Sequence, residues 1–451
     1  MNILIHSGTI LPLNGKPLIR DGAVAIEGNT IVAVGKTGDL KGKCGKGFEK
    51  IDAEGCIVMP GLINTHQHAA MSLLRGYADD LPLQEWLEKR IWPIEAKMTP
   101  HDIYAGALLT AAESIMSGTT TVNTMYHYFP EENEAKAFAD AGLRGVIGHV
   151  CFSWRKKEDI EALERLARGW HRQKNGLIRV SVDPHSPYTV DPGYMKELEA
   201  TRKELNQKYG STADPIITHI HIAETREEKS KVQKTFKLQL KNGLMEYLDS
   251  LGVLHENVIA AHCVALEDMD FAVMKKRKVK ISHNPISNLK LASGISPINT
   301  VIEKGITVSL GTDSPCSNNS ADMFEVMKTT ALLHKGVNNN PTLVPASKVL
   351  ELATIDGAKA LSWEKEIGSI DIGKKADLVI IDLKKPHFCP VHNEISHLVY
   401  AAKGSDAKTV IIDGKIVMEN RELATVKTDH VMEIAEKAKN TLLEKLDANI
   451  K

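Results

Sequence analysis

The stretch Cys56-Ile57-Val58-Met59-Pro60-Gly61-Leu62-Ile63-Asn64-Thr65-His66-Gln67-His68 decides how the chain folds. Its apolar opening, residues 56–59, predicts a short buried strand. Side chains two apart on a strand point to the same face. His66 and His68 therefore project together from the strand's end. Two imidazoles held side by side make half of a divalent-metal site, since neutral imidazole ligates zinc, iron, nickel and copper. Taken alone, His-x-His fits two ordinary polar residues leaving a strand equally well. The residues downstream separate the two readings.

Working outward, strand-like runs recur at 119–124, 145–150, 178–182, 216–222, 258–261, 279–282 and 306–310. Helical stretches lie between and beyond them, at about 100–117, 131–141, 158–175, 192–209, 225–251, 266–277, 297–304, 321–334 and 344–361. Counted from the first strand, this is eight β/α units, which predicts a (β/α)8 barrel over an open doubly wound sheet. No G-x-G-x-x-G or P-loop follows any strand. Residues 1 to about 55 alternate short strands with Gly and Asn turns, and the same texture returns at 376–382 and 410–417. Neither end is long enough for its own core, so the two are expected to pair into one small composite β-sandwich. The expected organisation is sandwich (1–58), barrel (59–369), sandwich (370–425) and a C-terminal helix (426–451), packed on the sandwich or on a partner subunit.

Composition excludes several classes. Lys plus Arg is 56 and Asp plus Glu 57, so the basic footprint of a nucleic-acid binder is missing. No apolar run reaches the roughly 18 residues of a membrane span. Residues 1–6 lack the charged start and apolar core of a secretory signal. The six cysteines are scattered, without a Cys-x-x-Cys pair. That pattern fits reduced, buried thiols in a cytoplasmic protein.

Barrel enzymes place their chemistry at the C-terminal ends of the strands. Six strand ends here carry His, Glu or Asp: His66 and His68, His185, His221 with Glu224, His262, His283, and Asp313. Structural histidines would be spread through the helices as well; His101, His171 and His334 are, and receive no role. With these residues in place, a family resemblance can be stated. Residues 60–68, His-Ile-Ala-Glu-Thr at 221–225, Ala-Ala-His-Cys at 260–263, Ser-His-Asn-Pro-Ile-Ser-Asn-Leu-Lys-Leu at 282–291 and Gly-Thr-Asp-Ser at 311–314 resemble the amidohydrolase superfamily. They are most similar to its methylthioadenosine/S-adenosylhomocysteine deaminase branch, with the 5′-deoxyadenosine deaminases. The resemblance covers nearly the whole chain.

The resemblance implies that His66, His68, His221 and Asp313 ligate one divalent metal, zinc before ferrous iron. Strand four ends Val182-Asp183-Pro184-His185, without the lysine of binuclear relatives. The same resemblance implies Asp313, Glu224 and His262 as catalytic groups. Asp313 takes the proton of the attacking water, Glu224 shuttles it, and His262 hydrogen-bonds the attacking oxygen or the tetrahedral centre. It implies Glu95 as acceptor for both ribose hydroxyls, Trp86 packed against the ligand, His185 on base or ribose, and Ser317 on the purine, with Glu224 and Asp313 also touching substrate. Trp92 is expected to be packing. Relatives that take S-adenosylhomocysteine carry an arginine shortly after strand three, where this chain has His149; Arg155 lies nearby and Arg144 sits too early. An arginine fork is the usual grip on an α-carboxylate, so small 5′ groups are favoured. The expected function is hydrolytic deamination of adenosine-type nucleosides by a homo-oligomer. The alternatives are a guanine deaminase, a triazine-type chlorohydrolase, or a catalytically silent barrel serving as an assembly subunit.

Overall fold

The computed structural model describes residues 2–42, 44 and 47–447. Eight parallel strands run in sequence order around a barrel: Leu62–Gln67, Thr119–Tyr126, Arg144–Cys151, Ile178–Pro184, Ile217–Ile222, Val258–His262, Lys280–His283 and Val308–Leu310. Every residue of the second, third and fourth strands is buried, as expected of parallel strands covered by helices outside and by side chains inside. The first and last strands meet without a regular ladder. The Asp313 N–H donates to the His66 carbonyl at 2.9 Å, and the Thr65 hydroxyl donates to the Leu310 carbonyl at 2.9 Å. Asn64 and Thr312, 248 residues apart, bond through their side chains at 2.7 Å.

The two chain ends do pair. Cys56–Pro60 runs antiparallel to Leu378–Asp382, joining N- and C-terminal strands in one mixed nine-stranded sheet. The sheet curls so that Ile3, Val24 and Ile26 share a core with Leu378, Ile380 and Ile411. The sequence predicts one strand from Cys56 through to His68, and here the structure differs. Cys56–Pro60 belongs to the composite sheet, the barrel strand starts at Leu62, and Gly61 is the joint. A Cβ on Gly61 would lie 2.1 Å from the Thr120 side chain, so only glycine lets the chain cross between sheets here.

Arg144, at the start of the third barrel strand, is fully buried and fastens barrel to sheet. Its guanidinium donates to Asp377 at 2.6 and 3.0 Å and to Asp413 at 3.2 Å. Arg144→Met would leave the buried Asp377 without its cation and Asp413 with only Lys375, at 3.8 Å. It should cost about 3–5 kcal/mol of stability, measured by denaturant unfolding.

Other differences are local. The stretch 225–251 forms two helices, Glu228–Phe236 and Leu244–Ser250; Lys237 at φ 54° stops the first. A short helix, Pro285–Lys290, follows the seventh strand. The last helix, Thr428–Asp447, packs on the barrel, against the helix Pro100–Met116. Its Ala435, Ala438 and Leu442 join Ala70, Leu74 and Ile103 in one apolar cluster. Five cysteines are buried, whereas Cys389 is exposed. No helix among the described residues is long and apolar enough to cross a membrane.

Candidate active site

The strand ends converge. His66 Nε2 and His68 Nε2 lie 3.2 and 3.3 Å from the same oxygen of Asp313. His221 Nε2 lies 3.3 Å from His68 Nε2. His262 Nε2 stands 4.0 Å from both Asp313 Oδ2 and Glu224 Oε1. Ala223, His262, Cys263 and Asp313 all have positive φ, between 49° and 72°. Backbone strain of this kind, about 1–3 kcal/mol per residue, gathers where side chains must be aimed.

The far side of each ring fixes which nitrogen faces the centre. His68 Nδ1–H donates to the Met125 carbonyl at 2.8 Å, and His221 Nδ1–H to the His185 carbonyl at 2.7 Å. A carbonyl can only accept, so both rings carry their proton on Nδ1 and present a bare lone pair from Nε2. Those two lone pairs face each other at 3.3 Å and cannot hydrogen-bond; the arrangement suits a cation shared between them. His66 Nε2 is buried with no hydrogen-bond partner among the described residues, and a carboxylate completes the set. The donors fit a divalent metal of the zinc or ferrous type. His262 Nδ1 donates to Asn288 Oδ1 at 2.8 Å.

Asp313 is held from several sides. Its Oδ1 accepts from the Ser314 N–H at 2.7 Å, and its Oδ2 from the hydroxyls of Ser287 at 2.5 Å and Ser317 at 3.0 Å. Burial works against its charge, but the imidazoles of His66 and His68 beside it outweigh burial and hold the carboxyl well below the usual range. Glu224 is shifted the opposite way: burial raises its carboxyl, against the opposing pull of His262. Two carboxyls in one site are thereby driven apart, the pattern of a division between base and acid.

His68, His221, His262, Glu224 and Asp313 line one cavity that also takes in Glu95, Trp86, His185 and Ser317. Trp86 and Glu95 sit on a segment of three consecutive helical pieces, with a π-helical turn over Leu87–Ile91 between them. In an unbroken α-helix, at about 100° per residue, positions nine apart face opposite ways; the wider turn takes up part of that difference. Glu95 Oε1 accepts from the Tyr126 hydroxyl at 2.7 Å, and burial pushes its carboxyl up to about 7. The His185 ring lies 4.9 Å from that of His221. Trp92 packs against the apolar cluster that includes Leu87 and Ile91, as expected, and lines the cavity too.

Two strand-end histidines lie away from the cavity. His283 pairs with His334 at 3.2 Å. His149 Nε2 meets Asp159 at 2.9 Å and its Nδ1 accepts from the Tyr128 N–H. Position 149 thus faces the barrel wall. Arg155 lies 3.6 Å from the same Asp159 and donates to His127 Nδ1 at 3.1 Å. His127 lines the cavity; it directly follows the second strand, as His68 and His185 follow theirs, so the strand-end pattern could have found it. His219 is missed as well, although His219-Ile-His221 repeats the spacing of His66-Gln-His68; its Nε2 lies 2.7 Å from His66 Nδ1.

Fold and site together define a (β/α)8 hydrolase with a histidine–aspartate centre at its strand ends. Comparison with known proteins agrees. The Amidohydrolase family pattern matches residues 57–417, and the chain belongs to that family. It is 44% identical over 451 residues to a protein of Thermoanaerobacter pseudethanolicus named 5-methylthioadenosine/S-adenosylhomocysteine deaminase, covering 99% of this chain and 100% of that one. It is 42% identical to a 5′-deoxyadenosine deaminase of Methanosarcina acetivorans, covering 95% of each. An adenosine deaminase structure from Xanthomonas campestris with bound zinc superposes with a TM-score of 0.88 at 32% identity, covering 98% of each chain.

Proposed function

We propose that the chain is a metal-dependent deaminase of adenosine-type nucleosides. It converts 5′-methylthioadenosine, 5′-deoxyadenosine, adenosine and S-adenosylhomocysteine to the matching inosines plus ammonia. The observation that carries this reading is a single cavity holding both the histidine–aspartate centre and the Glu95 carboxylate. A carboxylate's two oxygens suit a cis-diol, which a guanine deaminase or triazine hydrolase has no use for. The names of the relatives point the same way.

His66, His68, His221 and Asp313 would hold one divalent ion, zinc before iron. Such an ion lowers the pKa of a water and supplies a nucleophile near neutral pH. The chain's own groups do the rest. Asp313 accepts the water's proton. Glu224, raised by burial, protonates the purine ring nitrogen as a C–O bond forms at C6. Resupplied with the proton that Asp313 took, it protonates the amino group as the C6–N bond breaks and ammonia leaves, and it regains a proton from the C6 hydroxyl as the carbonyl forms. His262 Nε2, with its proton committed to Asn288, accepts from the attacking oxygen. His185, Trp86 and Ser317 contact the nucleoside.

Elemental analysis combined with a nucleoside panel read by ammonia release tests this reading; ammonia from none of the adenosine nucleosides refutes it. With His149 turned into the wall, 5′-methylthioadenosine should have the higher kcat/KM and S-adenosylhomocysteine the lower. A tenfold preference for S-adenosylhomocysteine would assign the α-carboxylate grip to another cation. Glu95→Ala should weaken every ribonucleoside, and 2′-deoxynucleosides should be poor for the unaltered enzyme. A buried carboxylate left without its partner costs about 1–3 kcal/mol or more. Equal kcat/KM for adenosine and 2′-deoxyadenosine would remove Glu95 from ribose recognition.

A further inference from the structure

Asp183 has no part in the reaction described above. It lies near the end of the fourth barrel strand, is fully buried, and neither carboxylate oxygen has a hydrogen-bond partner among the described residues. A buried charged group without a partner is costly. Space has nonetheless been kept for it: a Cβ on Gly148 would lie 1.6 Å from Asp183 Oδ2. The nearest ring belongs to His219, also fully buried, whose unpartnered Nδ1 is 3.6 Å from the same oxygen. The other nitrogen of His219 is 2.7 Å from His66 Nδ1.

We propose that Asp183 and His219 are positioning residues that set His66 as a metal ligand, acting through its outer nitrogen. This rests on the reading of His66 as a ligand given above. His66 and His219 are coupled by the direction of their hydrogen bond, and Asp183 acts on that direction through its charge. For His66 to offer a lone pair from Nε2, its proton must sit on Nδ1 and point at His219 Nε2. That nitrogen must then be the acceptor, which puts the His219 proton on Nδ1, facing Asp183. A carboxylate on that side favours this direction over its reverse. In the reverse, His66 would aim an N–H at Asp313 and could not ligate. His68 and His221 have backbone carbonyls for the same purpose. His66, alone of the three, has another imidazole, which can point either way, and so needs a group behind it.

The test is zinc affinity of the full chain, stripped of metal and titrated against a competing chelator. Unfolding of the metal-free protein is followed alongside. Outer partners of metal-bound histidines are worth about 10–100-fold in affinity. Asp183→Leu and His219→Phe should each weaken zinc by that factor. The metal-free Asp183→Leu protein should unfold no earlier than the unaltered one, because a buried carboxyl has been replaced by an apolar group. Asp183→Asn keeps the shape, drops the charge and decides between the outcomes if the leucine variant does not fold; zinc should weaken there too. Zinc affinity within twofold of the unaltered protein overturns the proposal. That is the result expected if burial, which pushes Asp183 upward, leaves it protonated and the chain of bonds reversed. A loss of affinity confined to variants whose metal-free form is equally destabilised overturns it as well, since that is a merely structural role. If the unaltered protein binds no zinc, the ligand reading falls and takes the relay with it. Normal zinc binding that the variants leave untouched removes only the relay.

Discussion

Replacing His66 and His68 together with alanine should leave a folded barrel that holds no metal and releases no ammonia. Both imidazoles converge on one oxygen of Asp313, and the remaining His221 and Asp313 make too few protein ligands for a stable divalent site. The fold should tolerate the loss. The strand is paired with its neighbour through residues 62–67, and Thr65 is bonded to Ser282 and Ser309 at 2.7 and 2.8 Å. Neither set of bonds uses an imidazole. Metal per chain should drop from about one to near zero by elemental analysis, with the circular-dichroism spectrum unchanged. Two metals per active chain in the unaltered enzyme would contradict the single-ion reading, as would an active double variant.

Glu224→Gln should keep metal and substrate binding while lowering kcat about 10²–10⁴-fold, the usual contribution of a general acid–base. The carboxyl is buried, raised, and 4.0 Å from His262 Nε2. Glutamine preserves its size but cannot give up and regain a proton. The loss should therefore fall on kcat with KM little changed. A near-normal kcat would hand the proton transfers to another group, with Asp313 the first to test.

Much of this is legible in the sequence, for a physical reason. Strands in a parallel barrel are buried on both sides, so they appear as apolar runs, and their polar ends stand out. His66, His221, His262 and Asp313 each follow such a run. What stays hidden depends on three-dimensional closure. The handover at Gly61 cannot be read from an apolar run that continues through two different sheets. His149 and His283 occupy strand ends like the others, yet their side chains bond to Asp159 and His334 away from the cavity. Nothing local marks that choice. Arg144 sits too early on its strand to reach substrate; its actual partners, Asp377 and Asp413, lie more than 200 residues downstream.

The join between the first and last barrel strands also sets a timetable. His66 and His68 leave the ribosome early, but Asp313 and the carbonyl partner of Thr65 belong to the far side of that join, some 248 residues later. A nascent chain can form the first strand and still have no fourth ligand. With the ligand set proposed above, the site is complete only once the eighth strand has been made. An ion held there would act as a clasp across one of the longest loops in the molecule. Closing so long a loop costs little more entropy than closing a shorter one, because the cost grows only with the logarithm of length.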